Sequence, residues 1–199
     1  DAPSGDERMF CHSIMSQIGL PRTQVQGREF HHSFGAAWLS IQAGLLDEGT
    51  GPVLQPVPYG ATARLALTCI STLARRHRSR EVDVGRHASV FLSMLGYDLQ
   101  GHRYRMLRRQ MHALAACRLQ LGFQGRTINS LPIHQFDAWQ PRWLAGASRW
   151  PGLLVLSTEF YADLIEHSVP LDGRALATLK GSALALDIYT WLAYRLHQI

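Results

Sequence analysis

Residues Gly101 to Gly125 constrain this chain more than any other stretch, because a helix with one apolar and one arginine-rich face runs straight into a short alternating hairpin. Tyr104, Leu107, Met111 and Leu114 recur at i, i+3, i+7 and i+10, a single stripe of a 3.6-residue period. Arg105, Arg108, Arg109 and His112 fall on the other side. Leu119, Leu121 and Phe123 then alternate with Arg118, Gln120 and Gly122, the period of a half-buried strand, and Gln124-Gly125 supplies a turn. Helix followed by hairpin is the recognition half of a winged helix, and it predicts a surface suited to a phosphate backbone.

Charge supports that expectation. Between Arg64 and Arg126 twelve arginines stand against Glu81, Asp83 and Asp98, a net of +9 in a chain whose total is +5, so the remaining residues sum to −4. The positive charge is concentrated where the helix and hairpin lie. Of the twenty basic residues only Lys180 is lysine. A guanidinium fork matches phosphate and guanine edges; a GC-rich coding sequence better accounts for the ratio of arginine to lysine, and nucleic-acid contact better accounts for the clustering.

Length and composition set the remaining bounds. The 199 residues, 46% of them hydrophobic, can build a substantial core. No stretch approaches the ~20 apolar residues of a membrane span; even Ala183 to Leu196 is broken by Asp187 and Arg195. No secretory leader is visible, and a cytoplasmic location in a bacterium is expected. The opening Asp-Ala-Pro-Ser lacks an initiator Met and the chain stops inside a continuing helix, so it reads as a fragment of a longer protein. Cys11, Cys69 and Cys117 are odd in number and widely spaced, as expected of small core hydrophobes in a reducing compartment.

Periodicity predicts a short helix over residues 7–18, a hairpin over 29–43 turning at Phe34-Gly35, and a Gly- and Pro-rich loop over 45–58. A long helix follows over 61–79. It ends in Arg75-Arg76-His77-Arg78, where cations near the last carbonyls contribute ~0.3–1 kcal/mol each. Next come a short strand at 81–84, a helix over 86–95 stopped by Gly96, the arginine helix over 102–117, and a returning strand over 128–136. A loop over 137–151 carries Trp139, Trp143 and Trp150. Beyond it lie a strand at 153–156, a helix over 159–166 capped by Ser157 or Thr158, and two last helices over 173–179 and 182–199. Leu184, Ile188, Trp191, Leu192 and Leu196 are expected on the dry side of the final helix. The fold class is α+β: a winged helix-turn-helix over residues 58–199, with an N-terminal helix and hairpin extension over 1–57 and C-terminal linking helices.

Several stretches resemble the plasmid-encoded RepA-type replication initiators. Val57-Pro58-Tyr59-Gly60 leading to Arg64-Leu65, and Ser79-Arg80-Glu81-Val82-Asp83-Val84-Gly85, are similar to that family's P-Y-G turn, long helix and following strand. Phe91 to Gly96 and Leu107 to Met111 resemble its next two helices. Val169 to Leu176 and Leu184 to Leu196 resemble its most distinctive stretch. Ala63 and the run Gln100-Gly101-His102-Arg103-Tyr104 depart from the family pattern, which often has proline at the first and a glycine-rich approach at the second. The resemblance implies binding to double-stranded repeats at a plasmid origin, local opening of the duplex, recruitment of host replication proteins, a homodimer, and a second winged domain beyond Ile199.

Arg103, Arg105, Arg108, Arg109 and His112 are the candidate DNA contacts, with Arg118 and Arg126 on the hairpin limbs as wing contacts. A solvated charged face is the simpler alternative, but unpaired arginines at i and i+4 repel one another. Arg75, Arg76 and Arg78 are expected to complement a helix terminus, and the tryptophans to close the core or a subunit contact in preference to stacking on bases. No cofactor or metal is expected, since His31-His32 on one strand point to opposite faces. No phosphate loop or nucleophile elbow is present, so a non-enzymatic protein is expected. The open alternatives are a dimerisation module whose missing partner domain reads DNA, and a winged-helix transcriptional repressor.

Overall fold

The computed structural model describes residues 4–5, 7–138 and 150–197. Its N-terminal segment is not the predicted helix but a strand, β1 (Arg8–His12), followed by one helical turn, α1 (Ser13–Gln17). The strand pairs antiparallel with residues 168–172, Arg8 opposite Asp172 and His12 opposite Ser168. The Phe10 amide donates to the Thr72 hydroxyl at 2.9 Å. A partner about 160 residues away leaves no local signature, so spacing alone favoured a helix.

The first predicted hairpin forms as β2 (Glu29–Phe34) and β3 (Ala37–Gln42). The expected loop contains a small second hairpin, β4 (Leu45–Asp47) and β5 (Pro52–Leu54). The long helix α2 (Gly60–His77) lies at the centre of the molecule, and eleven of its residues are buried. Arg75 and Arg76 at its end act as fasteners. Arg75 donates to the Ile165 carbonyl at 3.1 Å and lies 4.5 Å over the Phe10 ring, and Arg76 donates to the Arg8 carbonyl at 2.8 Å.

Strand β6 (Glu81–Asp83), helix α3 (Ala88–Met94) and helix α4 (Gly101–Ala116) follow as predicted. So do β7 (Arg118–Phe123) and β8 (Arg126–Ser130), joined by Gln124 and Gly125 at φ 48° and 84°, the left-handed pair that a two-residue hairpin turn requires. The predicted strand over 128–136 is broken at Leu131-Pro132, where proline offers no amide to a ladder, and resumes as β9 (Ile133–Phe136). Then come β10 (Leu153–Leu156), α5 (Thr158–Glu166, capped by the Ser157 hydroxyl), β11 (Ser168–Asp172), α6 (Gly173–Leu179) and α7 (Ala183–His197). Strand β11 falls between the predicted helices over 159–166 and 173–179, where periodicity gave no element.

Sheet assignment relocates the wing. Strands β7 and β8 join β3 and β2 in the order β2-β3-β7-β8, with Leu39 opposite Leu121 and Ile41 opposite Leu119. The sheet that follows the helices is β6-β10-β9, with Val82 opposite Leu154 and Leu154 opposite Phe136. Helix α2, strand β6, helices α3 and α4, then a hairpin whose return strand zips onto β6, is a winged-helix-like order. The wing is therefore β9–β10, and the expected wing β7–β8 is an inserted hairpin. Alternation in residues 118–123 showed a half-buried strand correctly but could not show which sheet it completes.

The core meets α4 through Leu107, Met111 and Leu114, all fully buried, with Tyr104 packed beside them. Cys11, Cys69 and Cys117 are free and buried, and burial pushes the thiols of Cys69 and Cys117 up to about 12. The last helix departs from expectation. Leu184, Ile188, Leu192 and Leu196 are exposed, while Leu186 and Tyr194 face inward. Periodicity reports that a face is apolar, not that this chain covers it.

Gly44 marks the tightest approach between the N-terminal hairpins and α4, since a Cβ there would land on the Ala116 carbonyl oxygen. Gly44→Ala is expected to lower stability by about 1–3 kcal/mol, as overpacking against rigid backbone does. Urea denaturation with an unchanged midpoint would contradict this close approach.

Candidate nucleic-acid interface

Helix α4 presents only its first half. From Gln110 to Leu114 every residue is buried, and the side-chain Oε1 of Gln110 accepts the Tyr59 amide at 2.8 Å. Before that point His102, Arg105 and Arg109, spaced i, i+3 and i+7, are exposed, with Met106 between them. The helix lies against α3 in a helix-turn-helix arrangement, in which base edges are read by the N-terminal residues of the second helix.

The other cations predicted for this face are engaged within the chain. Arg103 lies 3.6 Å from the Asp98 carboxylate and 4.7 Å over the Tyr97 ring. Arg108 reaches Glu48 at 3.2 Å. His112 does not belong to the solvent face at all: it is 3% exposed, with Nδ1 3.0 Å from Glu48 and its ring edge-on to Phe136. Burial pushes the His112 imidazole below its ordinary range despite the pull of Glu48, so it is neutral at pH 7 and its Nδ1–H donates to the carboxylate. Burial raises Glu48, but hydrogen bonds from His112 and Gln55 and the nearby charges outweigh that effect and hold it below the usual carboxylate range. Glu48 comes from the β4–β5 hairpin, 64 residues before His112, and no local pattern linked it to α4.

Arg118 and Arg126 stand apart from this surface. Arg118 is exposed at the start of β7, beyond the buried end of α4, and the helix alone puts about 17 Å between Arg105 and Ala116. Arg126 lies 3.6 Å from Asp163. Both belong to the four-stranded sheet, not to the wing. Trp139 and Trp143 lie outside the described residues. Trp150 is buried, its indole N–H donating to the Gly85 carbonyl at 2.9 Å and its ring 5.5 Å from Phe91. Among the described residues no group of three His, Cys, Asp or Glu side chains could hold a metal ion, and no helix is long and apolar enough to cross a membrane.

An α+β chain with this helix and sheet order, and a half-exposed arginine helix packed on α3, is a winged-helix-like module. Residues 57–199 match the family model described as plasmid encoded RepA protein, and the chain belongs to that family of plasmid replication initiators. Among solved structures it is similar to a crystal structure of domains 2 and 3 of RctB, at 12% identity and a TM-score of 0.57 over 93% of this chain and 71% of that one. A second structure of RctB domains 2–3 aligns at 13% identity and a TM-score of 0.48, covering 77% and 58%. No curated protein matches the chain.

Proposed function

We propose that this chain binds double-stranded repeats at a plasmid origin through the first half of α4, as part of an initiator that opens the duplex and recruits host replication proteins in the bacterial cytoplasm. It acts by positioning, not by bond chemistry. The observation that carries this is the state of Arg105 and Arg109. Both are exposed on the helix that follows α3, and among the described residues neither is in an ion pair. Arg103 and Arg108, held by single carboxylates at the rim, are secondary phosphate contacts. Arg118, just past the far end of the helix, and Arg126, at the turn of the β7–β8 hairpin, reach DNA only where it bends around the module.

The test is duplex binding across a salt titration. Arg105→Ala/Arg109→Ala is expected to bind origin DNA at least tenfold more weakly, a loss of about 1.4 kcal/mol or more. Each phosphate contact removed flattens the log–log salt slope by about 0.9. A folded double variant with unchanged affinity and slope would reject the assignment.

A second function is favoured by the row Leu184, Ile188, Leu192 and Leu196, exposed by 46–70% along one side of α7. Exposed stripes of this kind mark association surfaces, and the module then also serves homodimerisation. Ile188→Asp/Leu192→Asp is expected to sediment as a monomer where the wild type is a dimer. A wild-type monomer at all concentrations removes this role.

A further inference from the structure

We propose that the groove between residues 24–28 and 54–56 holds backbone phosphates of the bound duplex, with Arg28 and Arg109 as its two cations; this rests on the duplex-binding role of α4. The groove has a volume of about 620 Å³ and opens beside α4. Two guanidiniums and the carboxamides of Gln24, Gln26 and Gln55 line it, and no carboxylate does. The acids nearby are engaged elsewhere. Glu48 is occupied by Arg108, His112 and the Gln55 amide, and Glu29 takes a hydrogen bond from Gln42 at 3.3 Å.

Beside the apolar Val25, Leu54 and Pro56, and with the Gln55 amide given to Glu48, the wall offers a phosphate two guanidiniums and the neutral carboxamides of Gln24 and Gln26, cations and neutral hydrogen-bonding groups that suit a chain of phosphates. Its position argues for a polymer over a small anion. Arg109 belongs both to the groove and to the exposed stripe His102–Arg105–Arg109, so a strand whose bases face α4 continues directly into it. The frame is fixed. The Arg28 carbonyl accepts the Ala43 amide at 2.8 Å, immediately before Glu29 enters the ladder opposite Gln42. The Arg109 guanidinium lies 5.6 Å from the Tyr59 ring centroid. Arg28 thus adds a second, sequence-independent clamp on the DNA from the N-terminal part of the chain.

The experiment uses the full 199-residue chain, a fluorescent origin-repeat duplex and an unrelated duplex of equal length, with anisotropy read across a salt titration. Arg28→Ala should weaken binding to both duplexes by the same factor, several-fold at fixed salt, and flatten the salt slope by about 1. Arg28→Lys should keep the slope. An Arg28→Ala slope equal to wild type, or a loss confined to the origin duplex, overturns the clamp while leaving α4 as the reader. Inorganic phosphate that binds in an Arg28-dependent way without weakening duplex binding also overturns it, by making the groove a small-anion site that the duplex does not enter. Wild-type protein that binds neither duplex rejects the α4 assignment and the clamp with it.

Discussion

Arg64→Met is expected to lower the stability of the folded chain by about 3–5 kcal/mol, the cost of removing one partner from a largely buried ion pair. The Arg64 side chain is 9% exposed and Asp187 is 18% exposed. Arg64 Nε lies 2.6 Å from Asp187 Oδ1, and Nη2 lies 3.0 Å from Oδ2, a two-pronged pair. The remaining guanidinium hydrogens go to the carbonyls of Pro21 at 3.0 Å, Gly60 at 2.9 Å and Leu20. One side chain therefore fastens α7, the Gly19–Pro21 segment and the first turn of α2. Arg22, 3.1 Å from Asp187 but 60% exposed, cannot replace it. At this chain length a loss of 3 kcal/mol corresponds to a Tm lower by about 6–12 °C. Arg64→Met/Asp187→Leu should recover much of the loss, because an apolar pair of similar volume leaves no charge buried alone. Equal unfolding midpoints for Arg64→Met and wild type would show that the pair contributes nothing to the fold.

The same pair shows what the sequence made legible. Arg64 and Asp187 each lie in a stretch that carries the family resemblance, yet nothing in the sequence said that the two stretches touch. Helices α2, α3 and α4 were readable because each has an internal apolar period, and α3 also a visible stop in Gly96 at φ 71°. The hairpins were readable because their turns need Gly35 and Gly125. Pairing across distance was not. β1 with β11, β7 with β3 and Glu48 with His112 each join segments whose local composition fits more than one partner. The arginine face was half legible for the same reason. Spacing placed Arg105 and Arg109 correctly on the outside, but it could not show that an acid from the β4–β5 hairpin would hold His112 inside and engage Arg108 at the rim. Arg28 was not legible because a lone arginine in a loop carries no pattern; only the fold brings it and Arg109 to one groove.

Asp163 sets the second large effect. Its carboxylate is 6% exposed and receives His12, 1% exposed, from the β1–α1 junction, together with His167 Nδ1 at 3.1 Å and Arg126 at 3.6 Å. His12 Nδ1 accepts the Ile14 amide at 3.2 Å, so the ring proton resides on Nε2 and is donated to Asp163. The His12 ring stacks on Phe160 with centroids 5.7 Å apart. Burial raises the Asp163 carboxyl, but the hydrogen bond from His12, with His167 and Arg126 nearby, outweighs it and holds the group below its ordinary 3.8. A depressed carboxylate contributes stability that is present above the unfolded value and is lost as pH falls through the folded one. This contribution is therefore complete at neutral pH and disappears below about pH 4. His112, held below its ordinary 6.5, starts the decline earlier, because the unfolded chain takes up that proton first. Stability should thus fall gently from about pH 6.5 and steeply below pH 4. Asp163→Ala, which strips three donors of their acceptor and leaves His12 buried without one, should cost about 3–5 kcal/mol at pH 7. It should also flatten the steep acid limb while sparing the gentle one. Denaturant midpoints from pH 3 to 8 that fall in parallel for variant and wild type would show that Asp163 does not anchor this junction.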